Sequence, residues 1–271
     1  MVLAKLRSTL KIIGKVKLVK KVLQDCVHCQ KQHGRVINQI MADLPNDHLE
    51  SDKPSFHNTG PDLFGPFKVV RGRGSVDRYG LIFTCLSSRA VHLEAVFDKS
   101  TDSFIQALHR FIARWGQVWL IRSDNGTNFV GAERELKKVL EDLDHKVVSK
   151  ELGIKNIKWI FNPPLAFDFG RAWEQEIRRV RGILSGILCE QPRSLSDKSL
   201  NTLLCEVEAI MNSRSLTPSS DDPSDLEAIT PNHLILQNAV ATFPPGLFIK
   251  DKIYARHRWK QMQYLADLLW I

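Results

Sequence analysis

Residues 61–67 read Pro-Asp-Leu-Phe-Gly-Pro-Phe, and here the chain takes on the pattern of β-strands. Runs of apolar and β-branched residues, separated by turn-forming glycine, serine and arginine, occupy 62–70, 79–86 and 90–97. Runs of this length bounded by turn residues predict three antiparallel strands connected in sequence. Asp62 stands inside the first strand, where an unpaired charge is costly to bury, so the pattern predicts a cationic partner for it.

Beyond residue 100 the pattern alternates between helices and strands. Apolar residues at helical spacing predict helices that open at Thr101, at about 131–144, at about 171–190, and at 197–212 after a capping Ser196. Short apolar strands are predicted at 118–121 and 157–161. This order of elements predicts an α/β fold, in which a mixed sheet of three antiparallel strands followed by alternating strands and helices is flanked by helices.

Positive charge is concentrated at the start of the chain. Residues 1–35 contain nine lysines and arginines and one acid, whereas the other 236 residues hold 29 basic and 29 acidic side chains. Helical spacing predicts an amphipathic helix here, with an apolar stripe of Ile12, Val16, Val19 and Leu23. Lys15, Lys20 and Lys21 lie between these residues and are predicted to contact a polyanion, with a solvated helix face as the alternative.

Composition excludes two classes of protein. The chain has no run of roughly 18 apolar residues, and its first 25 residues carry several lysines, so neither a membrane span nor a signal peptide is predicted. Five scattered cysteines indicate reduced thiols rather than a disulfide framework. We therefore expect an intracellular protein. Only Cys26 and Cys29 have the spacing of a metal site.

Three acids stand in short polar or aromatic contexts. Besides Asp62, Asp124 opens the run Asp-Asn-Gly-Thr-Asn-Phe after a predicted strand, and Glu174 ends Gly-Arg-Ala-Trp-Glu. Magnesium prefers hard oxygen ligands and keeps several waters, so three carboxylates and a phosphate suffice to hold two ions for phosphoryl transfer. For Glu174 the alternative is an acid that stabilises the start of a helix.

The motifs around these acids extend over nearly the whole chain. They include Asp-Leu-Phe-Gly-Pro-Phe at 62–67, Arg-Ala-Val-His-Leu-Glu at 89–94, Ser-Asp-Asn-Gly-Thr-Asn-Phe-Val-Gly at 123–131, Trp-Glu at 173–174 and Glu-Val-Glu-Ala-Ile-Met-Asn-Ser-Arg at 206–214. The combination resembles the integrase of BEL/Pao-type LTR retrotransposons. The resemblance implies an RNase H-like catalytic core with a D,D,E triad at Asp62, Asp124 and Glu174, separated by 61 and 49 residues.

The resemblance also implies the reaction and its partners. Two Mg²⁺ or Mn²⁺ ions would serve 3′-end processing of element DNA and its transfer into target DNA. Asn128 would contact target DNA, with a turn-forming side chain as the alternative. Arg178 and Arg181 would grip element DNA, with ion pairing to Glu174 or simple solvation as the alternatives. Homo-oligomers are possible, neither a membrane nor a small-molecule substrate is expected, and the location would be the nucleus or a retrotransposon particle.

The resemblance divides the chain into four parts. Residues 1–41 would be a remnant of a zinc-binding domain, 42–59 a linker, 60–215 the catalytic core and 216–271 a connector without the family's C-terminal barrel, so we expect a chain truncated at both ends. No histidine pair precedes Cys26 and Cys29, so a complete zinc site is not expected, and two thiols are the alternative.

One departure from the family pattern bears on activity. Phe-Asp-Phe-Gly-Arg at 167–171 stands where relatives carry two glycines before Trp-Glu, and Arg171 could deform the loop that presents Glu174. A catalytically inactive or domesticated DNA-binding remnant is therefore the alternative function. A nuclease acting on RNA–DNA hybrids is a third.

Other residues in the motifs are expected to have structural roles. His92 and Glu94, on alternate positions of one strand, and Asn212 and Arg214, at a helix end, are predicted to hold the fold together. Gly126 is predicted to supply a positive φ after Asp124.

Overall fold

The computed structural model describes residues 15–27, 48–49, 52–142, 157–162, 167–188, 195–217 and 228–236. In chain order, the elements in these ranges are α1 (Lys15–Asp25), β1 (Asn58–Arg71), β2 (Gly74–Cys85), β3 (Val91–Val96), α2 (Thr101–Trp115), β4 (Leu120–Ser123), α3 (Thr127–Asp142), β5 (Lys158–Phe161), α4 (Phe167–Leu188), α5 (Asp197–Asn212) and α6 (Pro231–Leu236).

The strands form one mixed sheet in the order β3-β2-β1-β4-β5. β2 pairs antiparallel with both β1 and β3, whereas β4 lies parallel to β1 and to β5. The predicted meander and the predicted α/β class with a mixed sheet are confirmed. β1 begins four residues before the predicted strand at 62, because Asn58 and Thr59 pair with β4.

Helices cover both faces of the sheet. Successive residues of a strand point to opposite faces of the sheet, so neighbours such as Ile82 and Phe83 enter different cores. Ile82 packs with Phe64, α4 and α5. Phe83 packs with α2 and α3, through Phe104, Phe111 and Phe129 among others. Full burial of one such side chain contributes about 1.5–3 kcal/mol. The first core holds α4 against β1, because it contains Phe64 and Val69 together with Ile177, Val180 and Leu184.

α5 covers the outer edge of β3. Asn212 Oδ1 accepts from Val91 N, and Asn212 Nδ2 donates to Val91 O, both at 2.8 Å. One turn earlier, Glu208 Oε2 accepts from Leu93 N at 2.8 Å. Two side chains of a helix thus satisfy the main-chain groups that an edge strand leaves open. The predicted structural role of Asn212 is confirmed.

Two helices begin earlier than the sequence predicts. α3 starts at Thr127 instead of 131, because Gly126 O accepts from Val130 N at 3.0 Å and so begins the helical hydrogen-bond pattern. α4 starts at Phe167 instead of 171. The predicted bounds of α5 are confirmed, and Ser196 Oγ caps it by accepting from Ser199 N at 3.2 Å.

α1 confirms a helix near the start of the chain. Val16 and Val19 of its predicted stripe are half-buried, but Leu23 of the same stripe is exposed, as are Lys20 and Lys21. Lys15 begins the helix, while Ile12 and Cys29 lie outside the described residues, so the zinc and lysine predictions stay predictions. Within the described ranges, no helix is long and apolar enough to cross a membrane. The four domain limits also stay a prediction.

Candidate active site

Asp62 lies in β1 on the face of the sheet that α4 covers. It is two residues from Phe64, which packs against α4, and residues two apart in a strand point to the same face. Asp62 is half-buried, and its Oδ1 accepts from Leu63 N at 2.7 Å. The pKa of Asp62 is raised to about 7, and burial is the largest cause. The charges of Asp124 and Glu174 contribute to this rise, whereas the Leu63 hydrogen bond and Arg181 act to lower the pKa. Side chains from three other places in the sequence therefore act on Asp62.

Asp124 reaches Asp62 through the parallel pairing of β1 and β4. Thr59 pairs with Ile121, and the two aspartates lie three residues further along their respective chains. Asp124 directly follows the last residue of β4, as predicted, and is exposed. Its Oδ1 accepts from Gly126 N at 3.0 Å, which fixes the carboxylate just before α3 begins.

Glu174 is carried by α4, directly after a buried tryptophan. Trp173 is 2% exposed and packs against Leu86 and Leu120. A Cβ at Gly60 would lie 2.4 Å from Trp173 Cε3, so the indole occupies the strand surface two residues before Asp62. The neighbouring Glu174 is exposed at that place.

Two expectations about this segment are wrong. Glu174 does not start a helix, because α4 begins seven residues earlier at Phe167. The macrodipole acts within the first turn, so it does not explain an acid at this position. Residues 167–171 belong to the helix instead of a loop, so Arg171 departs from the family pattern within regular structure.

The three carboxylates fit a divalent cation by their chemistry but are not drawn together around one point. Among the residues that the structure describes, no group of three or more His, Cys, Asp and Glu side chains stands close enough to hold a metal ion. Glu174 is exposed, so its side chain can change rotamer. Hard oxygen donors are what Mg²⁺ and Mn²⁺ bind, and a cation would relieve the mutual repulsion at Asp62.

The residues predicted to contact DNA differ in their exposure and in their position relative to the three acids. Arg181 is exposed and close enough to Asp62 to act on its pKa, and Arg178 is exposed one turn earlier on α4. Asn128 is buried in the first turn of α3, not in a loop as predicted, and its Nδ2 has no hydrogen-bond partner in the described structure. DNA contact by these residues stays a prediction.

Gly126 has a different role from the one predicted. Its φ is not positive. Instead, a Cβ at this position would lie 2.9 Å from Asn128 Oδ1 and 3.0 Å from Asp124 Oδ1. Glycine therefore leaves room for these two side-chain oxygens close to the main chain.

Glu176 and Arg214 form a pair that no sequence pattern connects. Glu176 is 3% exposed, and its Oε1 lies 3.0 Å from Arg214 Nη2 and 2.7 Å from Arg179 Nη1. Arg214 also donates to the main-chain oxygens of Met211 and Arg89, which confirms its predicted role at the helix end. Burial lowers the pKa of Arg214 to about 10. The pair fixes α4 two residues after Glu174.

His92 and Glu94 form a buried network away from these acids. His92 Nδ1 lies 3.0 Å from Glu208 Oε2, and Nε2 lies 3.5 Å from Glu94 Oε1. Burial alone would lower the pKa of His92, but the two glutamates outweigh it and raise this pKa. Arg110 Nε donates to Glu94 at 2.7 Å. The network connects β3 to α2 and α5, which confirms the structural role predicted for His92 and Glu94.

Comparisons with known proteins identify the fold. No protein-family model matches the chain, and no curated protein matches it. A chain of the simian T-cell lymphotropic virus intasome, in a cryo-EM structure with the PP2A regulatory subunit B56 gamma, is similar over 91% of this chain and 78% of that one, with 15% identity and a TM-score of 0.52. This likeness and the sheet order identify an RNase H-like fold.

Two further structures also match the chain. The catalytic core domain of BIV integrase is 14% identical, with a TM-score of 0.44 over 67% of this chain and 95% of that one. The HTLV-2 integrase catalytic core domain in complex with magnesium is 14% identical, with a TM-score of 0.43 over 67% and 97%.

Proposed function

We propose that this chain is a metal-dependent polynucleotidyl transferase of the integrase type, with Asp62, Asp124 and Glu174 as its catalytic residues. One arrangement carries the proposal: the register of β1 and β4 sets Asp62 level with Asp124, and Trp173 on Gly60 sets Glu174 beside β1. Asp124 and Glu174 also raise the pKa of Asp62. On an RNase H-like fold, such a set suits phosphoryl transfer on nucleic acid.

The three acids would hold two Mg²⁺ or Mn²⁺ ions, which supply charge neutralisation at the scissile phosphate and activation of the attacking oxygen. Asp62, half-buried, gives up its proton when a cation offsets its desolvation. Gly126 N holds the Asp124 carboxylate, and Trp173 holds α4 against β1. Arg181 adds positive charge beside the acids, where a phosphate of the DNA would approach.

The proposed substrates are the ends of an element's DNA and a target duplex. Processing would remove nucleotides from the 3′ end, and transfer would join the new 3′-hydroxyl to the target. The motifs support an origin in a BEL/Pao-type LTR retrotransposon, and this function would require the protein to act in the nucleus or in a retrotransposon particle. One chain of a solved intasome resembles this chain, which supports the proposal that this protein assembles on DNA as an oligomer.

The test uses a library of duplexes with randomised ends, supercoiled plasmid as target, and Mn²⁺ or Mg²⁺. Because every end sequence is present in the library, sequencing of end-to-plasmid junctions reports joining whatever the element ends are. We expect junctions from the parent protein, and none from Asp62→Asn or Asp124→Asn. Asp102→Asn, which changes an exposed aspartate of α2, is the matched control and should retain joining.

Three results would contradict the proposal: no junctions from a folded parent protein, junctions that persist in Asp62→Asn, or equal loss in Asp102→Asn. Cleavage of RNA–DNA hybrids without joining would assign the site to a nuclease instead.

A second candidate is a DNA-binding protein that has lost catalysis. One observation favours this candidate. Within the described ranges, no three His, Cys, Asp or Glu side chains lie close enough together to hold one ion. This candidate predicts salt-dependent DNA binding by both the parent and Asp124→Asn, with no junctions from either. Removal of residues 1–35 should then abolish most of the binding, since that segment carries the net charge.

A further inference from the structure

β1 and β2 extend well beyond their neighbours in the sheet. Their pairing continues to Arg71 and Gly74, whereas β3 reaches β2 only as far as Tyr79, and β4 pairs with β1 only at Asn58 and Thr59. Residues 67–78 therefore form a two-stranded ribbon, which we call the hairpin arm. It projects from the sheet that carries Asp62.

The hairpin arm is anchored at its base. Val69 is fully buried in the core of α4 and α5, and Val70 N donates to Leu195 O at 2.8 Å. On the other strand, Arg78 Nε donates to Asp197 Oδ1 of α5 at 2.6 Å. Contacts on both strands give the arm a fixed direction, so a ligand at its tip would meet a preformed surface.

The tip of the arm, residues 70–75, is exposed throughout. Gly72 makes the turn with a φ of 63°. The side chains of Arg71 and Arg73 form no hydrogen bond or ion pair with the described residues. Lys68, lower on the arm, pairs with Asp77 at 3.3 Å. Two acids, Asp98 and Asp197, line a pocket with Arg71 and Arg78, and Asp197 is already paired with Arg78.

We propose that this tip is a second DNA-contact surface, separate from the three acids and from the basic N-terminal segment. A two-stranded ribbon has the width to enter the major groove, and unpaired arginines bind phosphates through two donors at once. Apart from Val70, the tip offers no large apolar residue, which disfavours a membrane surface. The choice of DNA rests on the proposed function.

The test measures binding of a duplex of mixed sequence over a range of salt concentrations, in the Asp124→Asn protein to prevent cleavage. In this background we compare a double variant, which combines Arg71→Ser with Arg73→Ser, with the single variant Lys68→Ser as the matched control on the same arm. Each phosphate contact contributes about 0.9 to the slope of log affinity against log salt, so the double variant should lower the slope by about 1.8. Lys68→Ser should leave it unchanged.

A charge-preserving variant separates contact from folding. Arg71→Lys with Arg73→Lys should keep most of the slope, because lysine retains the charge. An unchanged slope in the serine variant, or an equal fall with Lys68→Ser, would overturn the inference. So would binding of poly-glutamate through these arginines without binding of DNA.

The two proposals fail separately. If junctions form but the serine variant keeps the slope, the arm does not contact DNA and the transferase proposal stands. If the slope falls as expected but no junctions form from the parent protein, the arm contacts DNA and the transferase proposal fails.

Discussion

The indole of Trp173 lies where a side chain at Gly60 would be, so a Cβ at Gly60 would overlap the ring. This contact joins α4 to β1 at the level of the three acids, because Glu174 follows Trp173 and Asp62 lies two residues beyond Gly60 on the same face. The catalytic arrangement that we propose therefore depends on the absence of one methyl group in the strand.

Gly60→Ala should displace Trp173 and with it Glu174. Overpacking of this kind costs about 1–3 kcal/mol, and the misplaced acid should lower joining by a larger factor than the stability loss explains. The measurements are urea unfolding and junction formation on the same preparation. Gly182→Ala is the control: a Cβ there meets nothing within 4 Å and should slightly stabilise α4. Full joining by Gly60→Ala would contradict the proposed role of the contact.

Asp62→Asn should stabilise the metal-free protein at neutral and higher pH. The pKa of Asp62 is about 7 in the fold against an ordinary value of 3.8. The folded state therefore holds the proton more tightly, and the free energy of unfolding falls as pH rises from about 4 to 7. Asparagine removes this cost, so thermal unfolding at pH 8 with EDTA should occur at higher temperature than for the parent protein. Mg²⁺ should stabilise the parent more than the variant; the reverse order would argue against a cation at Asp62.

The sequence predicted the order of elements, because alternation and helical spacing are local signals. The three acids are identified by motifs and a family resemblance instead, and their catalytic role stays a prediction. Sequence patterns failed where packing across the sheet decides the structure. The sequence pattern predicts a start at about 171 for α4, whereas the helix begins at Phe167. Nothing in the sequence near Glu176 indicates that its partner is Arg214. The closeness of Asp62 to Asp124 follows from the register of two parallel strands, which has no local signature.

His92 should make stability fall as pH rises above about 6.5. Its pKa is raised in the fold, so its contribution is fully present below about 6.5, the ordinary histidine pKa, and is lost as pH rises through the folded pKa. Urea unfolding at pH 6 and pH 9 should show a larger drop for the parent than for His92→Gln, and the difference between the two proteins cancels other titrating groups. An equal drop in both would show that His92 is not charged in the fold.

Asn212→Ala should loosen the edge of the sheet. It removes both hydrogen bonds to Val91 and leaves buried main-chain groups without partners, at a cost of about 1–3 kcal/mol for each group. Hydrogen exchange at Val91 should accelerate as unfolding free energy falls. Asn201→Ala, an exposed position on the same helix, should change neither quantity. Unaltered exchange at Val91 would show that β3 does not depend on α5 for its edge.

Arg214→Met should destabilise the fold and also misplace α4. It leaves Glu176 buried with only Arg179, and breaking a buried ion pair typically costs about 3–5 kcal/mol. Glu176→Gln combined with Arg214→Met removes the uncompensated charge, so the double variant should recover part of that stability because the two effects are coupled. Junction formation should recover less, since neither variant restores the bond that ties α4 to the end of α5. If the two substitutions were additive in urea unfolding, the arginine would stabilise the fold through its main-chain contacts to Met211 and Arg89 alone.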